Sequence, residues 1–179
     1  FCYLTAEEHN DFRFSTMGER SERLDTGRSN RGEVLALIDQ INDLDPEGEA
    51  DFEAVLEAYA DRIRSRSLVV VLTDCLDEPE RIESGVSALA RNEVDVLLVR
   101  VMAPEERDPD VVGDALFADP ESETTRRSYF SQSLADTYRS RLDAHVDEVN
   151  ERVTALGGDH VLVDTGDEYF DSFASVWLG

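Results

Sequence analysis

Apolar residues follow two rhythms along the chain. Val34, Leu37, Ile38, Ile41 and Leu44 recur at i, i+3, i+4, i+7 and i+10, the spacing of one helix face, and Asp45-Pro46-Glu47-Gly48 stops the run. Phe52, Val55, Leu56, Tyr59 and Ile63 form a second such stripe. Arg62, Arg64 and Arg66 follow it and suit the negative end of a helix dipole. A third stripe, Leu134, Tyr138, Leu142, Val146, Val149 and Val153, predicts a long helix over roughly Ser133 to Leu156, closed by Gly157-Gly158. Phe170, Phe173, Val176 and Trp177 predict a closing amphipathic helix.

The second rhythm is the unbroken apolar run. Residues 67–73 read Leu-Val-Val-Val-Leu at their centre, without alternation, as a strand buried on both faces does. Val94 to Val101 repeats the pattern, and His160 to Val163 is a shorter third strand. Asp77-Glu78-Pro79-Glu80 predicts a helix start, with Asp77 as N-cap and Glu80 at the capping-box position; Ile82, Val86 and Leu89 carry that helix on. Phe1 to Thr5 and Asp11 to Ser15 are expected to be short strands joined by a polar turn, and Met17 to Asn30 a loop. Met102 to Arg127 is expected to be irregular, with a short strand near Ala115 to Phe117.

Strand, helix and strand within about 35 residues make a βαβ unit with parallel strands. The expected architecture is a single α/β domain over residues 1–179, a doubly wound, mostly parallel sheet flanked by helices. Ligands of such sheets sit at the carboxyl ends of the strands. Those tips are Thr73-Asp74, then Ala103-Pro104-Glu105-Glu106, then Asp164-Thr165. An edge of carboxylates and hydroxyls favours a hard divalent cation such as Mg²⁺ over an anion.

Composition narrows the function. The 179 residues carry 41 acidic side chains against 17 basic ones, a formal charge of −24, and every basic residue is Arg. Leu, Ile, Val and Phe exceed the ~20% below which acidic chains stay disordered, so a folded domain is expected. The negative surface repels phosphate backbones and argues against nucleic acid. No apolar run approaches the ~20 residues of a membrane-spanning helix. Acid excess spread along the chain, without Lys, matches a surface adapted to concentrated salt, as in a halophilic archaeon; an acidic docking face for a basic partner is the competing reading. Cys2 and Cys75 form neither a CxxC pair nor a disulfide framework, and a cytoplasmic protein is expected.

Asp74 is the leading candidate residue. It directly follows a strand read as buried, where a carboxylate must be solvated, paired or metal-bound; the plain alternative is that it caps the loop. Asp77 fits its N-cap role better than a metal role. His145 and Glu148 share a helix face but read as solvated. Gly85-Val86-Ser87 lies within a helix and is no nucleophile elbow. Cys75 has no base near it in sequence. P-loop and GxGxxG motifs are absent. Arg126-Arg127, Arg139 and Arg141 read as partners for carboxylates.

Leu68-Val-Val-Val-Leu-Thr-Asp74 resembles the strand and Ser/Thr-Asp motif of von Willebrand factor type A-like domains. Val99-Arg-Val-Met-Ala-Pro-Glu-Glu-Arg107 is similar to the Val-x-Val-x-Asp-Pro-x-Glu-Arg stretch of the domain of unknown function 58 family, with Ala103 where Asp is usual. Gly113 to Glu123 resembles that family's Gly-x-x-x-Phe-x-Asp-x-Glu-Thr segment. Tyr138 to His145 and Val163-Asp-Thr165 match its closing helix and strand. The resemblance spans nearly the whole chain.

The resemblance implies a first strand bearing Asp-x-Ser-x-Ser, which is not present; Phe1 to Thr5 instead resembles the second strand. The chain is therefore expected to be the C-terminal portion of the domain, without its first strand and helix. Ala50 stands where the family's second metal-site element has Thr, so Asp74 alone remains of the usual ligands. The resemblance implies a non-enzymatic interaction module acting with a MoxR-type AAA+ ATPase, with no required cofactor and Mg²⁺ only in a complete site. A Mg²⁺-dependent hydrolase or phosphotransfer enzyme using Asp74 with Glu105 or Asp164 is the alternative.

Overall fold

The computed structural model describes residues 1–18, 21–27, 29–44, 50–91, 94–109, 113–118 and 125–168. In chain order the elements are α1 (Cys2–Glu7), β1 (Ser15–Thr16), β2 (Glu22–Arg23), α2 (Arg31–Asn42), α3 (Phe52–Ala60), β3 (Leu68–Thr73), α4 (Pro79–Ala90), β4 (Asp95–Met102), α5 (Pro104–Arg107), β5 (Gly113–Ala118), β6 (Thr125–Phe130), α6 (Gln132–Ala155) and β7 (Asp159–Asp164). The central sheet is parallel, in the order β3-β4-β7. It is a mixed α/β arrangement with a three-stranded parallel sheet flanked by helices.

The βαβ unit read from sequence is present as β3-α4-β4. Alternation along the strands gives the sheet two unlike faces. Val71, Val96 and Leu98 point to one face and join Phe52 and Leu56 of α3, Ile82, Val86 and Leu89 of α4, and Val149 and Val153 of α6 in the main core. Gly85 makes the close α3–α4 approach possible: a Cβ there would stand 3.0 Å from Leu56 and 3.1 Å from the Phe52 ring. Asp51 caps α3 through its side chain (3.1 Å to the Ala54 N–H), and Ser131 caps α6 (3.2 Å to the Leu134 N–H). Gly157, with φ of 79°, ends α6 in the left-handed conformation expected of a C-cap glycine.

Several expectations are corrected. Phe1 to Thr5 lies in a helix and its flank rather than a strand. No strand partner is present among the described residues, and its backbone bonds locally instead, Thr5 N–H to Phe1 C=O at 3.0 Å. Of the second segment, Asp11 to Ser15, only Ser15 lies in a strand; with Thr16 it pairs antiparallel with Glu22–Arg23 inside what reads as loop. Buried Asp25 organises this region, accepting from the N–H groups of Phe14 (2.9 Å) and Gly27 (2.8 Å) and from Arg23. α4 starts after Glu78 rather than Asp77; Asp77 accepts the Glu78 N–H at 2.8 Å. The segment after β4 holds an antiparallel hairpin, β5 with β6, of which only the first strand is legible in sequence.

The burial forecast also changes. In α2, Val34 and Leu37 are buried with Phe12 in a small second cluster, whereas Ile38, Ile41 and Leu44 are exposed. In α6, Ala135 rather than Leu134 faces inward. β3 is not buried on both faces: Leu68 and Leu72 are 54% and 49% exposed, because they point to the face of the strand away from the main core that holds Val71. The Asp45-Pro46-Glu47-Gly48 stop and the closing helix marked by Phe170, Phe173, Val176 and Trp177 lie outside the described residues.

Candidate functional site

The parallel register brings the three strand tips to one edge. Thr73 lies opposite Arg100, and Met102 opposite Asp164, so β4 reaches two residues past β3. Thr165 N–H closes the β4–β7 junction on Met102 C=O at 3.0 Å.

The β3 tip is a rigid knuckle. Thr73 Oγ1 accepts the Cys75 N–H (3.1 Å), and Asp74 Oδ1 accepts the Leu76 N–H (3.1 Å). Cys75 takes a left-handed φ of 57° to make the turn. His145, reaching from α6, donates from Nε2 to the Cys75 carbonyl at 2.7 Å. Sequence reads His145 as solvated beside Glu148; instead it pins the long helix to the knuckle, while Glu148 bonds Arg152. Outward from this scaffold stand exposed Leu72, Asp74 and Leu76.

The carboxylates of the edge are differently employed. Asp74 is exposed and caps its own turn. Asp164 is buried, ion-paired with Arg107 at 3.1 Å, and accepts the Gly166 N–H at 2.9 Å. Glu106 accepts the Ala103 N–H at 2.8 Å, and Glu105 is exposed. β3 and β7 flank β4, which sets the backbones of Asp74 and Asp164 about 10 Å apart. Among the described residues no group of three or more His, Cys, Asp or Glu side chains is placed to hold a metal ion.

Beneath the knuckle the surroundings are apolar and cationic. Cys75 is buried, and desolvation pushes its thiol up to about 12, well away from a nucleophile's range. Arg100 is 6% exposed, and its Nε and Nη1 have no hydrogen-bond partner. Burial depresses its pKa. His160 Nε2 is likewise buried without a partner, and desolvation and then the Arg100 charge depress its imidazole. Sequence offers no signal for Arg100 beyond a charged residue interrupting an apolar strand. Of the other arginines singled out, Arg139 pairs with Asp108 (2.6 Å) and Asp136 (2.7 Å). The depression lined by Glu57, Ala60, Asp61, Ala88 and Arg91 lies between α3 and α4, away from the strand tips.

Residues 2–148 match the family described as "Protein of unknown function DUF58". The chain belongs to the DUF58 family. No curated protein matches it. Among solved structures, this DUF58 chain is similar to the conserved hypothetical protein BatB from Bacteroides thetaiotaomicron, with a TM-score of 0.55 at 10% identity, over 97% of this chain and 80% of that one. It is also similar to an aerotolerance-related membrane protein from Bacteroides fragilis carrying multiple mutations to serine, with a TM-score of 0.55 at 10% identity, over 94% and 76% of the two chains. At such identity the likeness is one of fold. No helix among the described residues is long and apolar enough to cross a membrane.

Proposed function

We propose that this DUF58 chain is a non-enzymatic protein-interaction module of von Willebrand A-like type, working in the cytoplasm with a MoxR-type AAA+ ATPase in the assembly or activation of complexes. The observation that carries the reading is the β3 knuckle. Leu72 and Leu76 stand 49% and 54% exposed on either side of exposed Asp74, on a turn braced by four hydrogen bonds or caps from Thr73, Asp74, Asp77 and His145. Apolar side chains held out on a rigid support cost little entropy to dock, and a central carboxylate selects a partner with a basic, partly apolar pocket. The partner's identity comes from the family resemblance. The surface chemistry is this chain's own.

The test is a direct binding measurement with a purified MoxR-type ATPase in molar salt, with and without Mg²⁺. Wild type is compared with Asp74→Ala and Leu76→Asp. Both substitutions are expected to weaken binding at least tenfold. Equal binding by all three proteins sinks the knuckle as the interaction surface. Absence of binding by wild type sinks the choice of partner.

A further inference from the structure

Two buried donors inside the sheet's main-core face have a use that is independent of the knuckle reading. Arg100 lies on β4, between β3 and β7. Side chains alternate along a strand, so Arg100 shares a face with Val96 and Leu98, which pack with residues of α4 and α6. His160 of β7 stands opposite Leu98, and Arg100 stands opposite Leu162, two residues further along. Arg100 and His160 are therefore diagonal cross-strand neighbours on one face. Arg100 Nε and Nη1 and His160 Nε2 are closed off from solvent, and none of the three atoms has a hydrogen-bond partner.

A buried guanidinium calls for negative charge and for acceptors at its N–H groups. The acidic groups around Arg100 are otherwise placed. Cys75 is buried within its reach, but desolvation pushes the thiol up to about 12, so it is neutral and no counter-ion. Asp164 pairs with Arg107 at 3.1 Å and accepts the Gly166 N–H at 2.9 Å. Asp143, on α6, is exposed. A neutral His160 protonated at Nε2 contributes a further donor. Donors that converge without an acceptor, one of them fully charged, select an anion; a cation is repelled, and a water leaves the charge uncompensated. The enclosure selects a small one that carries no proton.

We infer that this chain binds one halide ion, chloride being the common one, held by the Arg100 guanidinium and His160 Nε2 on the main-core face of the sheet. Such an ion binds the folded chain alone, because the site joins β4 to β7 across 60 residues of sequence. Even a dissociation constant of ~0.1 M then lowers the unfolding constant about tenfold at 1 M chloride.

Urea unfolding of the 179-residue chain tests this at about pH 8, in NaCl and in Na₂SO₄ of equal ionic strength, so that screening of the surface charge is the same. Arg100→Met is expected to be the more stable protein in sulfate. Chloride should erode that lead, lowering the ratio of wild-type to variant unfolding constants at least fivefold. Taking the ratio cancels the general stabilisation that sulfate gives by exclusion from protein surfaces. His160→Leu, which keeps the guanidinium, should show less than half of the wild-type chloride response on a logarithmic scale. Crystals of wild type grown in NaBr should show an anomalous bromide peak within hydrogen-bond reach of both side chains. A ratio equal in the two salts overturns the inference. So does a full chloride response in His160→Leu, or bromide found only at the surface.

Discussion

Arg100 is a costly residue, because its buried guanidinium forfeits hydration and receives no hydrogen bond at Nε or Nη1 in exchange. Replacing it by an apolar side chain of similar length removes that cost. Arg100→Met is expected to stabilise the fold by about 1–3 kcal/mol, read as a higher denaturant midpoint at unchanged slope. A drop in the midpoint would mean that Arg100 has a partner worth more than its burial costs. Its neighbour His160 gives a pH test. Its folded pKa lies below the ordinary 6.5, so the unfolded chain binds a proton that the folded chain rejects. This contribution is intact above about pH 6.5 and is lost as pH falls through 6.5 toward the depressed folded value. His160→Leu should flatten stability against pH across that window, and Arg100→Met should shrink the same loss by removing the charge that helps depress the imidazole. Asp25 also loses stabilisation in acid, but lower down. Burial pushes its carboxyl up, yet Arg23 and the N–H groups of Phe14 and Gly27 outweigh this and hold it below the ordinary 3.8.

At the scale of elements, the α3–α4 contact depends on the missing side chain of Gly85. A β-branched side chain there meets Leu56 and Phe52 in a packed core with no room to yield. Gly85→Val is expected to cost about 1–3 kcal/mol, measured by thermal or urea unfolding. A neutral result would show that α3 can slide. The element pattern was largely legible beforehand. α2, α3, α4, α6 and the three parallel strands all follow from periodicity, because a helix stripe and an apolar run are local signals. The first segment was not legible. Phe-Cys-Tyr-Leu-Thr has no periodicity to read, and whether it becomes strand or helix depends on whether another strand stands beside it. β6 is not legible in the sequence because Thr125 to Phe130 is mostly polar and charged, and its extended form is seen in its pairing with β5.

For the whole molecule, the −24 charge predicts a stability that depends on salt. Arg152 gathers Glu80, Glu83 and Glu148 across α4 and α6, and Arg139 gathers Asp108 and Asp136, yet the remaining acid excess repels itself at low salt. The unfolding temperature is expected to rise steeply from low salt to about 1 M NaCl and then flatten as the Debye length reaches ~3 Å. An uncharged osmolyte at equal osmolarity should not reproduce the rise. Insensitivity to salt would remove the case for a salt-adapted surface and return the acid excess to partner docking.

Periodicity and composition alone determined α2, α3, α4 and α6, the parallel strands, the edge on which their tips lie and the position of Asp74, because each depends on local patterns and on the chain direction of parallel strands. Only the tertiary structure decided what those residues touch. It packed the main core against one face of β3, so a strand read as doubly buried exposes Leu68 and Leu72. It brought His145 to Cys75 across 70 residues of chain and paired Asp164 with Arg107. Burial and pairing are set by neighbours distant in sequence, and a one-dimensional pattern holds no record of which neighbours arrive.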